Sequence, residues 1–180
     1  MPHKRNAREA KSAVRSYACE GREFRVRLCL FAPDIPQNTG ALIRLTACLN
    51  VPLDVVEPCG FVWSDSRLKR AGLDYHEYAR VVRHKDWTAF RAAAPGRAVL
   101  ASTKAFAPYT GFAFRQDDTL VMGPESAGFP AWLEDEVADR VLIPMSPGRR
   151  SINVALAAAM VLGEALRQTG GFPAPSAPEA

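Results

Sequence analysis

The chain has 180 residues and a mass of 19.7 kDa, with 48% hydrophobic and 23% charged residues, the mix of one ordinary globular domain. This composition excludes a mainly disordered or collagen-like chain, and with no apolar run approaching ~18 residues it predicts no membrane span. The formal charge of +4 is unevenly placed: residues 1–27 carry eight Lys/Arg against three Glu, and the remainder fifteen against sixteen acids.

Residues 1–24 therefore read as a basic arm on a nearly neutral body. Such an arm either binds RNA phosphates through counterion release or is a solvated extension. It lacks the apolar core and small-residue cleavage site of a secretory signal. The four cysteines, Cys19, Cys29, Cys48 and Cys59, form no C-x-x-C pair and the chain has three histidines. Neither a zinc site nor a disulfide framework is expected, and a reducing cytoplasm fits best.

In chain order, residues 25–32 (R-V-R-L-C-L-F-A) predict a strand, and residues 41–49 a helix after the turn D-I-P-Q-N-T-G. Residues 53–56 predict a second strand, 65–71 a helix stopped at Gly72, and 79–83 a third strand. Asp86 is a good N-cap for a helix running to residue 93. Strands follow at 98–102 and 119–122, then a helix at 130–138 and a strand at 141–145. Residues 151–168 form the longest predicted helix, apolar on more faces than a surface helix needs. Residues 170–180, with three prolines and two glycines, read as a disordered tail. Short apolar strands alternating with helices predict an α/β domain over residues 25–169, a mainly parallel sheet with helices on both faces. Ligands bind such sheets beyond the carboxyl ends of the strands.

Three polar stretches fall at those ends. In Pro33–Arg44, Asn38 and Thr39 are loop or cap residues, Gly40 permits close backbone approach, and Arg44 lies one turn further on. In Met122–Pro130 (M-G-P-E-S-A-G-F-P), two glycines make a backbone-rich loop suited to a small ligand, and Glu125 can accept a proton or hold a base edge. The stretch is neither G-x-x-x-x-G-K-[ST] nor G-x-G-x-x-G. In Ile143–Asn153, Ser151 and Asn153 cap the long helix beside the guanidiniums of Arg149 and Arg150, an anion-binding arrangement or a simple cap. A fourth stretch, residues 63–91, interleaves rings and cations as RNA-binding surfaces do, with Trp87 and Phe90 the expected core members.

Taken in order, these stretches resemble the SPOUT RNA methyltransferases, and within them the branch acting on the ribose of nucleotide 34 in tRNA. The resemblance spans residues 28–168. It rests on Ile35-Pro36-Gln37-Asn38-Thr39-Gly40 with Arg44, Glu57-Pro58, Gly60-Phe61 and Arg70-Ala71-Gly72-Leu73-Asp74-Tyr75-His76. It continues through Gly123-Pro124-Glu125, Gly128, Pro130, Ile143-Pro144-Met145 and Arg150-Ser151-Ile152-Asn153.

The resemblance implies a C-terminal segment threaded into a deep trefoil knot, a topology that general rules make rare. It implies S-adenosylmethionine as cofactor, held at Ala101, Gly123, Ile143 and Ser151, with backbone groups of Leu142 and Met145 toward the adenine. It assigns catalysis to Arg44 and Asn38 and the RNA side to Glu125, Arg150, Asn153, Arg70 and His76. It further implies a homodimer, a tRNA partner, no metal, no membrane and a cytoplasmic location. Alternatives are the same chemistry on another tRNA or rRNA position, or an RNA-binding protein that has lost catalysis. The chain departs from the family pattern at Ala127, where arginine is frequent, at Gly163, where a tyrosine stands in one relative, and in the Val-Ala-Leu run after Asn153.

Overall fold

The computed structural model describes residues 25–64, 79–94 and 96–174. The arm at 1–24, the helix predicted at 65–71 and most of the predicted tail lie outside them. The described elements are β1 (Arg27–Phe31), α1 (Pro36–Cys48), β2 (Leu53–Val56), β3 (Val81–His84), α2 (Trp87–Ala93) and β4 (Ala98–Ala101). They continue with β5 (Ala107–Pro108), a short 3-10 turn (Tyr109–Gly111), β6 (Thr119–Met122), α3 (Ala131–Glu136), β7 (Arg140–Leu142) and α4 (Val154–Thr169).

Among the described residues the seven strands join one sheet in the order β3-β2-β1-β6-β4-β7-β5, and their pairings are parallel. A parallel sheet must be covered on both faces, and the period-two alternation of the strands supplies both covers. Leu28, Leu30, Leu53, Val55, Leu120 and Met122 point into a core closed by Leu42 and Ile43 of α1 and by Val161, Leu162 and Leu166 of α4. Cys29, Val56, Leu100 and Val121 point the other way, onto Trp87 and Phe90 of α2 and Leu133 of α3. Trp87 and Phe90 are the core members the sequence predicts, 6% and 0% exposed.

Several boundaries differ from the sequence expectation. α1 starts at Pro36 rather than Ala41, because proline's fixed φ and missing N–H suit the first helical position. Asn38, Thr39 and Gly40 are thus helical, and no side chain caps this helix. β1 ends at Phe31, where Ala32 takes a left-handed φ of 46° and turns the chain sharply. β7 stops at Leu142, so Ile143 and Met145 belong to the loop beyond it. α4 begins at Val154 with Asn153, not Ser151, as its cap, and it ends on Gly170 at a left-handed φ of 64°. The sequence does not predict β5, whose two residues pair with Val141 and Leu142 of β7.

Candidate active site

Register decides which loops meet. Leu30 lies opposite Met122, Met122 opposite Ala101, and Ala101 opposite Val141. β1, β6, β4 and β7 therefore end at one level, and residues 32–35, 123–130, 102–106 and 143–153 gather along a single edge of the sheet. The chain builds outward from β1 toward β2 on one side and toward β6 on the other, and such a switch point is where open α/β sheets bind ligands. A cleft of about 440 Å³ opens there.

The cleft brings together residues far apart in sequence. Asn38, Ala101, Gly123 and Glu125 line it, as do Ile143, Met145, Ser151 and Asn153 from the last loop. Leu142 ends β7, half-buried opposite Pro108. Arg150 is exposed in the neighbouring turn, where Arg149 N donates to Ser146 O at 3.2 Å. Arg44 is exposed on α1 and is not among the cleft-lining residues. Six helical residues separate it from Asn38, roughly 9 Å along the axis and about 240° around it. Arg70 and His76 lie outside the described residues.

A hydrogen-bonded chain joins the three motif loops. Asn153 Nδ2 donates to Asn38 Oδ1 at 3.0 Å, and Asn38 Nδ2 donates to Glu125 Oε1 at 2.9 Å. Asn153 Oδ1 meanwhile accepts from Ala155 N at 2.9 Å and Leu156 N at 3.4 Å, capping α4. At the other end Asp34 and Glu125 exchange bonds: Asp34 N donates to Glu125 Oε2 at 3.2 Å, and Glu125 N donates to Asp34 Oδ1 at 3.1 Å. Asp34 Oδ2 also accepts from Ser126 N at 3.1 Å and from the Ser126 hydroxyl.

The two carboxyl groups titrate apart. Hydrogen bonding to Glu125, then to Ser126, holds Asp34 down to about 2. Burial, then the hydrogen bond with Asp34, pushes Glu125 above its ordinary value. Adjacent acids split in this way because two like charges at one site are expensive. On the far wall Glu134 accepts from Lys104 Nζ at 3.0 Å and Ser102 Oγ at 3.2 Å. The Lys104 bond holds its carboxyl below the ordinary range. Gly123 forms part of the floor, and a Cβ there would sit 3.2 Å from the Phe129 ring.

Residues 25–163 match the SpoU rRNA methylase family. The chain belongs to the SpoU methylase family. A tRNA (cytidine(34)-2'-O)-methyltransferase of Beijerinckia indica is 54% identical over 148 residues, covering 81% of this chain and 92% of that protein. The protein of the same description from Escherichia coli is 42% identical, covering 81% and 94%. A solved structure concerned with 2-OH methylation of C/U34 on tRNA superposes with a TM-score of 0.75 at 39% identity, covering 79% of this chain and 95% of that one. The SpoU methyltransferase AviRb from Streptomyces viridochromogenes, solved with the cofactor AdoMet, gives 0.68 at 28% identity, covering 83% and 62%.

For this SpoU-family chain, sequence reading found the three loops but missed Asp34, Ser102, Lys104 and Glu134. Asp34 shows no local signal, since its side-chain partners lie 91 and 92 residues away. Lys104 and Glu134, 30 residues apart, could have been paired only with the strand order in hand.

Proposed function

We propose that this protein is an S-adenosylmethionine-dependent methyltransferase acting on the ribose 2′-hydroxyl of the wobble nucleotide, cytidine or modified uridine 34, of tRNA in the cytoplasm. The observation that carries the reading is the hydrogen-bonded junction Glu125–Asn38–Asn153, which assembles three sequence motifs around one cleft. The relatives described as tRNA (cytidine(34)-2'-O)-methyltransferases support the substrate, and AdoMet-bound AviRb supports the cofactor.

The residues present fit that cofactor. The cleft volume lies within the usual range for small-molecule sites. Met122, Val141 and Ile143 offer apolar surface to an adenine ring, while Glu125 offers a carboxylate to a cation. When bound, S-adenosylmethionine supplies a methyl group already activated on a positively charged sulfur. The protein's own task is alignment, and it suits a site that needs no further group. The Gly123 and Ile143 loops hold the donor, and Asn38, fixed between Glu125 and Asn153, orients the ribose. Arg44 holds the adjacent RNA phosphate and polarises the hydroxyl, and since an arginine side chain offers donors and no acceptor, that phosphate or water takes the proton.

Arg44 is absent from the lining of its own cleft, which supports a homodimer in which it serves the partner's. Leu156 and Met160, one turn apart on α4 and 61% and 40% exposed, offer an apolar seat for the second copy. The C-terminal thread of a trefoil knot is supported by β7, which inserts between β4 and β5 while residues 102–106 bridge across its end.

The test is labelled S-adenosylmethionine with total tRNA from a strain lacking the enzyme, followed by mapping of the methylated nucleotide. Label on the 2′-oxygen of nucleotide 34 is the expected result. Label elsewhere in tRNA or in rRNA reassigns the substrate, and cofactor binding without transfer to any RNA leaves a binding protein. Arg44→Lys should lose nearly all activity, because lysine lacks the planar fork that holds phosphate and hydroxyl together.

A further inference from the structure

Asp34 occupies a position that neither the motif logic nor the proposed chemistry uses, yet it is held between two other loops, the one after β6 and the one after β2. Its carboxylate accepts from Glu125 N at 3.1 Å, from Ser126 N at 3.1 Å and from the Ser126 hydroxyl, while its own N–H returns a bond to Glu125 Oε2. From the opposite side the loop after β2 presses against its backbone. Gly60 N donates to Pro33 O at 2.9 Å, and a Cβ at Gly60 would lie 2.7 Å from Asp34 Cβ and 2.9 Å from Asp34 Cα. The left-handed turn at Ala32 swings Asp34 out of the line of β1 and toward the end of β6.

We infer that Asp34 is a positioning residue: a latch that fixes the 123–128 loop, and with it Gly123 and Glu125, in the conformation that receives the cofactor. The physical reason is directional. The loop contains Gly123 and Gly128, which leave its backbone many conformations to lose. Two consecutive amides and a hydroxyl converging on one charged acceptor remove that freedom before any ligand arrives. Hydrogen bonds to an ionised acceptor are about twice as strong as neutral ones, so a single carboxylate can hold the whole turn. The reciprocal bond aims the Glu125 carboxylate, whose other oxygen is held by Asn38. Asp34 thereby acts on the ligand through two residues that line the cleft without lining it itself.

The inference rests on S-adenosylmethionine being the ligand of this cleft. It is tested on the full chain with Asp34→Asn, Asp34→Glu and Ser126→Ala, by calorimetric titration of S-adenosylmethionine, by kcat and KM, and by amide hydrogen exchange in ligand-free protein. Asp34→Asn should weaken cofactor binding about tenfold or more. KM for the cofactor should rise while kcat at saturation falls less than about threefold, as expected when binding geometry rather than chemistry is lost. Ser126→Ala should reproduce part of the loss, and Asp34→Glu, which keeps the charge, should restore most of it. The Glu125 and Ser126 amides should exchange faster in Asp34→Asn, with the β6 amides unchanged.

Unchanged affinity and unchanged exchange in Asp34→Asn would overturn the inference. So would a loss that tracks a lowered melting temperature with faster exchange throughout β6, the mark of a purely structural role. Should the unsubstituted protein fail to bind S-adenosylmethionine, the cofactor reading falls, while the exchange comparison still decides whether Asp34 holds the loop.

Discussion

Two sets of acids in this fold are satisfied differently. At the end where the strands start, Asp118 is fully buried and both its oxygens are taken by the Arg97 fork, each at 2.7 Å. Arg115 N adds a third bond at 2.8 Å, and Arg97 also lies over the Phe112 ring. Asp54, inside the sheet, is completed in the same style by Arg27 and by His84 Nε2 at 2.8 Å. At the end where the strands finish, Glu134 is likewise paired with a cation, Lys104, but Asp34 and Glu125 are satisfied by backbone amides, a hydroxyl and a carboxamide. Acids matched by cations hold the fold together. Of the two acids matched by neutral donors, Glu125 lines the cleft and can face a cationic ligand while Asp34 stands behind it, and their neighbouring charges push their titrations apart.

The sharpest way to break this contrast is Asp118→Ala. It leaves Arg97 with only the Ala113 carbonyl and the more distant Asp139 and should lower the unfolding free energy by about 3 kcal/mol in urea denaturation, the low end for removing one partner of a buried pair. Cofactor affinity of the folded fraction should stay within about twofold. Asn38→Ala is the counterpart at the other end. It removes the link between Glu125 and Asn153 and should reduce kcat/KM about a hundredfold, in the range for lost preorganisation. Stability should fall by only about 1 kcal/mol, the net worth of an ordinary hydrogen bond. Equal stability losses in the two variants would erase the distinction between the two sets of acids.

How much of this was legible in the sequence follows the range of the forces involved. β6 matches its predicted limits at both ends, and Asp86 caps α2 through Ala89 N at 2.7 Å as expected, because apolar runs and caps are local signals. Asn38, Glu125 and Asn153 stand out in short motifs, and in the structure Asn38 hydrogen-bonds both of the others. What failed was of two kinds. The start of α1 was misplaced because Pro36 and Gly40 read as turn residues, although proline at the first helical position and a buried glycine are compatible with a helix. β5, the insertion of β7 between β4 and β5, and the partners of Asp34 exist only through pairings across the fold, and no window of neighbouring residues contains them.

Gly123→Ala probes the cleft more gently. The added methyl would meet the Phe129 ring at 3.2 Å, and Phe129 is packed in the second core with Leu133 and Val137, so the ring cannot move freely. Cofactor affinity should drop about fivefold as the floor shifts, consistent with modest overpacking. Adding Phe129→Leu should recover much of that loss. No recovery would mean that position 123 matters through its backbone contacts to the ligand rather than through the ring beneath it.

The smallest effect concerns the charge itself. Glu125 is raised by burial and by Asp34, so as pH falls it takes up a proton earlier than an ordinary glutamate. Asp34 remains ionised until pH falls toward about 2. The stability Asp34 contributes is therefore complete above 3.8, its ordinary value, and is lost only on approach to about 2. Lowering the pH from 7.5 toward 5 thus leaves the latch intact while removing part of the Glu125 charge. A sulfonium ligand feels that loss and its neutral thioether product does not. The ratio of S-adenosylmethionine to S-adenosylhomocysteine affinity should fall by about threefold over this range, a modest change because the charges meet in a partly solvated cleft. In Glu125→Gln the ratio should be low at both pH values and independent of pH. A ratio that moves equally in both proteins would place the titrating charge on the ligand or elsewhere in the cleft. The remaining role of Glu125 would then be to hold Asn38.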